Sequence, residues 1–165
     1  MAESTICKTK RDGTITFSDF GGTNSYEVAF EAGDLNVAIP GRVVNVFFDR
    51  GEFGATPCIR YGDDQPMTGT FTAYLRDATD ATAAALMDFL TQSGFVDANW
   101  TSTLGANSEV FLVAVDFAIE GTDHGEAADH GLGFNHCYLT GSIAEGDPSV
   151  ITVTFTSYAV YPTVT

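Results

Sequence analysis

A loop rich in histidine and carboxylate offers the most enzyme-like chemistry in this sequence. Imidazole and carboxylate groups together can bind a divalent metal ion, which can activate water. The spacing of six residues between histidines matches neither a helix face nor an H-E-x-x-H motif. The segment therefore predicts a solvated, turn-rich loop, with a small metal-dependent β-barrel enzyme as an alternative. The residues concerned are Asp123, His124, Glu126, Asp129, His130 and His136.

Other reactive side chains form no catalytic pattern. The sequence contains no G-x-S-x-G, P-loop or G-x-G-x-x-G segment. Asp63 and Asp64 adjoin in GDDQP, which predicts a turn, because neighbours in sequence rarely converge on one substrate. Trp100 could form a platform for sugar stacking, but a lone tryptophan is more often an anchor in a core or interface. We therefore expect neither catalysis nor a cofactor.

Cysteine usage and the absence of long apolar runs indicate where the chain is made. Cys7, Cys58 and Cys137 are odd in number and widely spaced, which predicts free thiols in a reducing compartment. The N-terminal segment lacks an apolar core of signal-peptide length. No apolar run approaches the roughly 18 residues of a membrane span. We expect synthesis in the cytoplasm and no membrane partner.

The protein surface must be strongly acidic. The 165 residues include 22 Asp and Glu against 7 Lys and Arg, a formal net charge of −15. Such a surface repels phosphate and disfavours tight nucleic-acid binding. It suits either high solubility or a position close to DNA without adhesion. The 44% hydrophobic content and the 13 Phe residues predict a mainly β domain with a real core.

Alternation of apolar and polar residues predicts seven to nine strands in a single domain of 1–165. Helical spacing replaces the alternation once, which predicts one α-helix over 79–94. The expected fold is mainly β, an antiparallel β-sandwich or half-barrel with one flanking α-helix. The strand-like runs are 13–19, 25–31, 33–41, 42–49, 67–76, 108–121, 134–146 and 149–161.

Two strand-like runs carry threonine on one face and apolar residues on the other. The runs are 67–76 and 149–161, and their threonine faces offer hydroxyl groups without charge. Such a face can meet solvent, line a watery channel or contact another subunit. Because few basic residues guard the sheet edges, pairing between copies in a closed ring would remove those edges.

A long connection, residues 49–66, separates the runs 42–49 and 67–76. A hairpin needs only two to five residues at its tip. This connection is charged at both ends and apolar in its middle. We expect a long loop that becomes ordered when the chain assembles with a partner.

The order of elements from residue 13 to residue 161 resembles the tail tube protein of long, non-contractile-tailed bacteriophages, the siphovirus major tail protein. The resemblance is carried by residues 26–77 followed directly by ATAAALMDFLTQSG. Its most telling pieces are GDLNVAIPG, DRG, GDDQPMTGTF and EGDPSVITVTFTSYAVYPT.

The resemblance implies a structural virion protein that is assembled in the host cytoplasm. Hexameric rings of the subunit would join their inner sheets into one β-barrel and stack into a tail tube. Genomic DNA would pass through the lumen during ejection without specific binding. The partners would be further copies of the chain and other tail proteins. A secretion-system tube subunit of the same fold and a carbohydrate-binding β-sandwich module or adhesin stay open as alternatives.

Two sets of residues follow from this resemblance as candidate sites. The expected inter-subunit contacts of the long loop are Asp49, Arg50, Glu52, Phe53, Pro57, Ile59, Arg60, Tyr61, Asp63 and Asp64. The expected lumen face is formed by Thr68, Thr70, Thr72, Tyr74, Thr152, Thr154 and Thr156.

Overall fold

Alternating side chains build ten strands in the part of the chain that the structure describes. The computed structural model describes residues 13–28, 34–48, 57–76, 82–122, 125 and 127–165. The strands are β1 (Gly13–Ser18), β2 (Ser25–Val28), β3 (Asn36–Ala38), β4 (Val44–Phe48), β5 (Pro57–Tyr61), β6 (Met67–Tyr74), β7 (Val113–Ile119), β8 (His130–Ala144), β9 (Val150–Ser157) and β10 (Thr163–Val164). The helices are α1 (Leu86–Thr91) and α2 (Gly94–Asn99).

Eight of the described strands form one antiparallel sheet, and in the described part of the chain its two ends do not pair with each other. The order along the sheet is β2-β1-β7-β8-β9-β6-β3, and β10 pairs with β8 beside this path. β4 and β5 form a separate two-stranded sheet. The predicted fold class, a mainly β antiparallel structure, is therefore confirmed.

The main sheet curves around its apolar face. On β6, Met67, Phe71 and Ala73 are buried while Thr68 and Thr70 are exposed, as the alternation predicts. The ring centroids of Phe17 on β1 and Phe71 on β6 lie 6.2 Å apart, although three strands separate β1 from β6 in the sheet. Opposite parts of the sheet therefore share one core, as in a half-barrel.

Two short helices take the place of the single helix expected over 79–94, of which residues 79–81 lie outside the described part. Gln92 adopts a left-handed conformation with φ of 52°, so α1 ends there and α2 begins at Gly94. The break lets Phe89 and Trp100 both reach the core, where their rings meet edge to face at 4.7 Å. Phe89 also meets Phe17 at 5.2 Å, so α1 covers the inner face of the sheet.

Several element bounds differ from the expected ones. Residues 57–61 form a strand, so the expected loop 49–66 is in part the second strand of a hairpin. β8 begins at His130, inside the segment that was expected to be a loop. The pairing of β7 with β8 shifts register near His136, whose φ of 55° fits an extra residue in the strand. Residues 108–112 lie outside β7 and pack as a loop.

Candidate assembly surfaces

A two-stranded arm stands apart from the main sheet. Among the described strands, β4 and β5 pair only with each other, from Val44 opposite Tyr61 to Phe48 opposite Pro57. We call residues 44–48 and 57–61 the arm. Its first face carries large apolar side chains that are between 46% and 75% exposed, namely Val44, Val46, Phe48, Ile59 and Tyr61.

This exposure makes the arm a candidate contact surface. An isolated two-stranded hairpin is at best marginally stable in water, and apolar patches of this kind mark interaction sites. The second face of the arm carries Phe47, which is 58% exposed, with Asn45, Cys58 and Arg60 beside it. Neither face of the arm is therefore covered by the described part of the chain.

Hydrogen bonds and one ion pair join the two segments at the base of the arm. The Gly62 amide donates to the Val43 carbonyl at 2.6 Å, and the Val43 amide donates to the Asp63 carbonyl at 3.2 Å. The Arg42 guanidinium binds the Asp64 carboxylate through two nitrogens, and this hydrogen bond raises the pKa of Arg42. These contacts join the segments that enter and leave the arm, so they stabilise its base.

The sequence-predicted contact residues fall into three groups. Ile59, Arg60 and Tyr61 lie on the arm and are exposed, whereas Asp63 and Asp64 lie at its base. Asp64 binds Arg42 of the same chain, so its carboxylate stabilises the base of the arm. Asp49, Arg50, Glu52 and Phe53 lie outside the described residues, as does the side chain of Pro57.

The second surface is an uncharged face across four neighbouring strands. The register places Thr68 beside Thr156, Thr70 beside Thr154 and Thr72 beside Thr152, with Tyr74 next in line. β8 extends these rows with side chains that the sequence reasoning missed, although they alternate within 134–146; they are Tyr138, Thr140 and Ser142. We call this surface of β3, β6, β9 and residues 138–144 the threonine face. These strand segments contain no Asp, Glu, Lys or Arg.

Within the ranges that the structure describes, the four strands under the threonine face end in a free edge on each side. β3 is the last strand of the sheet on one side. On the other side, β7 pairs with β8 only as far as Cys137. Residues 138–144 therefore pair with β9 but with no further strand in the described part of the chain. Both borders offer backbone groups for pairing with another chain.

The described part of the histidine loop has a structural role. Asp129 accepts three hydrogen bonds of 3.0 Å, from the Gly121 and Thr122 amides and the Thr122 hydroxyl. The hydrogen bond from the Gly121 amide is the largest of the interactions that lower the pKa of the Asp129 carboxyl below its usual value. His136 Nδ1 lies 3.0 Å from the Thr103 hydroxyl, away from this loop.

Three members of the predicted metal cluster, Asp123, His124 and Glu126, lie outside the described residues, whereas Asp129, His130 and His136 are described. Within the ranges that the structure describes, no three His, Cys, Asp or Glu side chains are placed to hold a metal ion.

Trp100 and two cysteines occupy contrasting environments. Trp100 is 7% exposed and packs in the core, which confirms the anchor interpretation. Cys58 is an exposed free thiol on the arm, while Cys137 is buried and free. Burial raises the pKa of Cys137 to about 12. Cys7 lies outside the described residues.

Comparison with known proteins identifies the fold. No family model and no curated protein matches the sequence. One similar solved structure is described as "Cryo-EM Structure of an Extracellular Contractile Injection System, PVC sheath/tube terminator in extended state". It has a TM-score of 0.59 and 12% identity, and the match covers 100% of this chain and 99% of that chain. A second, the "PVC sheath-tube complex in extended state" of such a system, has a TM-score of 0.53 and 12% identity over 92% and 88% of the two chains.

These likenesses show that the fold is one that occurs in structures of an extracellular contractile injection system. In the described part of this chain, the fold consists of a mainly antiparallel, unclosed sheet with short helices packed against it. Among the residues that the structure covers, no helix has the length and apolar character needed to span a membrane.

Proposed function

We propose that this chain is a structural protein of a phage tail or tail-like particle, and that it forms the rings of the tube. The observation that carries the proposal is the threonine face with a free edge on each side. Each of its four strands runs antiparallel to its neighbour, so β3 and the second half of β8 run in opposite directions. Joining β3 of one copy to residues 138–144 of the next continues the antiparallel pattern without interruption.

Such a contact uses two different borders of the same chain. A head-to-tail contact of this kind closes into a ring when the rotation between copies allows it, and closure leaves no edge unpaired. Six copies, the number that the sequence resemblance implies, would supply about 24 strands. With a spacing of about 4.8 Å and a barrel-like tilt, the backbone diameter is roughly 40–50 Å. A barrel of this width has room for a DNA duplex.

The threonine face suits the wall of a passage for genomic DNA during ejection. The four strand segments under it carry no cation that would bind phosphate. The chain as a whole has a net charge of −15, which adds a repulsive background. The wall would therefore be well hydrated and would bind DNA weakly. Passage of DNA along it requires neither a cofactor nor a catalytic group.

The arm supplies a second contact, to a neighbouring copy in the same ring or in the next one. Docking would bury the first face of the arm, whose side chains are at least 46% exposed in the single chain. Removal of this much apolar surface from water drives association. The ring contact and the arm contact together would stack rings into a tube.

Electron microscopy and sedimentation of the purified protein test the proposal. We expect rings or tubes with a central channel at high protein concentration. A variant in which residues 44–61 are replaced by a short Gly-Ser linker should keep its eight-stranded sheet, measured by circular dichroism, and lose tube formation. A wild-type sample that stays a single chain at millimolar concentration would refute the proposal.

A terminator of the tube is the second candidate, because the likeness to a chain in the sheath/tube terminator structure extends over both full chains. A repeated tube subunit makes tubes of variable length, whereas a terminator stops at a single ring. The length distribution of the assemblies therefore separates the two roles. Addition of a sheath protein from the same genome separates a contractile particle from the long, non-contractile tail of a siphovirus.

A further inference from the structure

An open pocket beside α2 combines a small aromatic floor with an acidic rim. Its volume is about 280 Å³. Half-buried Phe111 and the exposed 7% of Trp100 form the floor, and the exposed carboxylates of Asp97 and Glu109 lie at the rim. A pocket of this size accepts a few side chains rather than a whole strand.

Apolar and acidic side chains around the pocket are also left exposed by the described part of the chain. Leu104 and Val110, which adjoin lining residues in sequence, are 58% and 45% exposed. In the described part of the chain, the side chains of Asp97 and Glu109 make neither an ion pair nor a hydrogen bond. No described residue of the arm lines the pocket, so contact between arm and pocket requires two copies of the chain.

The second face of the arm has the complementary chemistry. Phe47 pairs across the strands with Cys58, and Asn45 pairs with Arg60, so an exposed aromatic ring and a guanidinium stand side by side. Arg60 has no ion pair with any other described residue, whereas Arg42 is bound to Asp64.

Scarcity of positive charge makes this match informative. The chain has only 7 Lys and Arg, so an exposed, unpaired arginine among apolar residues stands out from the surface. Arginine and aromatic residues are the usual anchors of interfaces, and carboxylates are the natural partners of guanidinium. The pocket offers two carboxylates next to an aromatic floor.

We propose that the pocket beside α2 receives the second face of the arm from a neighbouring copy. Phe47 packs on the floor near Trp100, and the Arg60 guanidinium binds between Asp97 and Glu109. This inference rests on the proposed function, because it requires the copies to assemble. It goes further by naming the acceptor surface and the residues that select it.

Charge reversal on each side tests the pairing. Arg60→Glu should raise the concentration at which half of the chains are in tubes on the order of tenfold, because three carboxylates then meet in one pocket. Adding Asp97→Lys and Glu109→Lys to the same chain should bring that concentration back towards the wild-type value. Arg76→Glu is the matched control, since Arg76 is an exposed cation outside the arm, and it should leave assembly unchanged.

Disulfide trapping tests proximity directly. Cys58 on the arm is a native, exposed thiol. In a Cys7→Ser background, Ala106→Cys at the pocket should form intermolecular disulfides with Cys58 after oxidation by copper phenanthroline, seen as a ladder on a non-reducing gel. Ser108→Cys is a second position in the pocket lining. Glu145→Cys, in the turn between β8 and β9, is the control and should give no ladder.

The outcomes separate this inference from the proposed function. Rescue by the reversed pocket together with a ladder supports the pairing. If the wild-type chain forms tubes, but the reversed pocket gives no rescue and the cysteine variants give no ladder, the pocket is not the acceptor. The tube role then stands. A wild-type chain that forms no rings or tubes overturns both.

Discussion

Two isoleucines allow the folding of the single chain to be separated from its assembly. Ile59 on the arm is 64% exposed, whereas Ile151 on β9 is 0% exposed. The same substitution, to alanine, removes the same atoms at both positions. We predict that Ile151→Ala damages folding and that Ile59→Ala damages only the association of copies.

The expected magnitudes follow from burial. Isoleucine to alanine removes about three methylene equivalents, worth about 0.8 kcal/mol each when buried, and a core cavity brings the cost of Ile151→Ala to about 2–5 kcal/mol. Because Ile59 is 64% exposed, its loss should change the free energy of unfolding by less than about 0.5 kcal/mol. Docking would bury about two thirds of its side chain, so each contact should lose about 1.5 kcal/mol, or roughly tenfold in association constant.

Two measurements on each variant check this reasoning. Urea denaturation at low protein concentration reports the unfolding free energy, and light scattering against concentration reports assembly. The reasoning would be refuted if Ile59→Ala lowered stability as much as Ile151→Ala does. It would also be refuted if Ile59→Ala assembled at the wild-type concentration.

The remaining predictions concern the sheet, its threonine face and a buried thiol. Gly69→Ala should lower the melting temperature, because an added Cβ would lie 2.2 Å from the Phe155 ring. Thr70→Lys should leave rings intact but make tubes retain DNA in a salt-dependent way, measured by co-sedimentation; DNA that stays unbound at low salt would contradict a lumen position. Cys137 should resist thiol reagents at neutral pH while Cys58 reacts. The pKa of Cys137 rises from 9.0 to about 12 on folding, so its stabilising contribution is complete below pH 9 and is lost between about pH 9 and 12, which alkaline denaturation of a Cys137→Ala variant would check.

Alternation predicted the strands well where one face meets the core of the same chain. Ile15, Phe17 and Phe71 are buried on the expected faces, because period-two spacing reports a half-buried strand. The break between α1 and α2 was not predictable, since Gln92, which adopts a φ of 52° there, has no special preference for a positive φ.

The arm shows why the candidate site was predicted only in part. Val44 and Val46 alternate as they would in a core strand, and a sequence does not say whether its own chain or another copy covers them. Residues 57–61 contain Pro57 and Arg60, which weaken a strand pattern, so their pairing with β4 emerged only from the structure. The rows of the threonine face, by contrast, were visible in the spacing of Thr68, Thr70 and Thr72.

Where the arm reaches the next ring, the difference between the arm and the pocket beside α2 gives the stack of rings a direction. One end of such a polymer presents vacant pockets and the other presents unused arms, so growth at the two ends need not proceed at the same rate. A subunit without residues 44–61 would still bind the arm of another copy in its pocket. It would have no arm with which to bind a further copy. Mixed in as a small fraction, it would act as a chain stopper at one end, and the average tube length would fall in proportion to its dose.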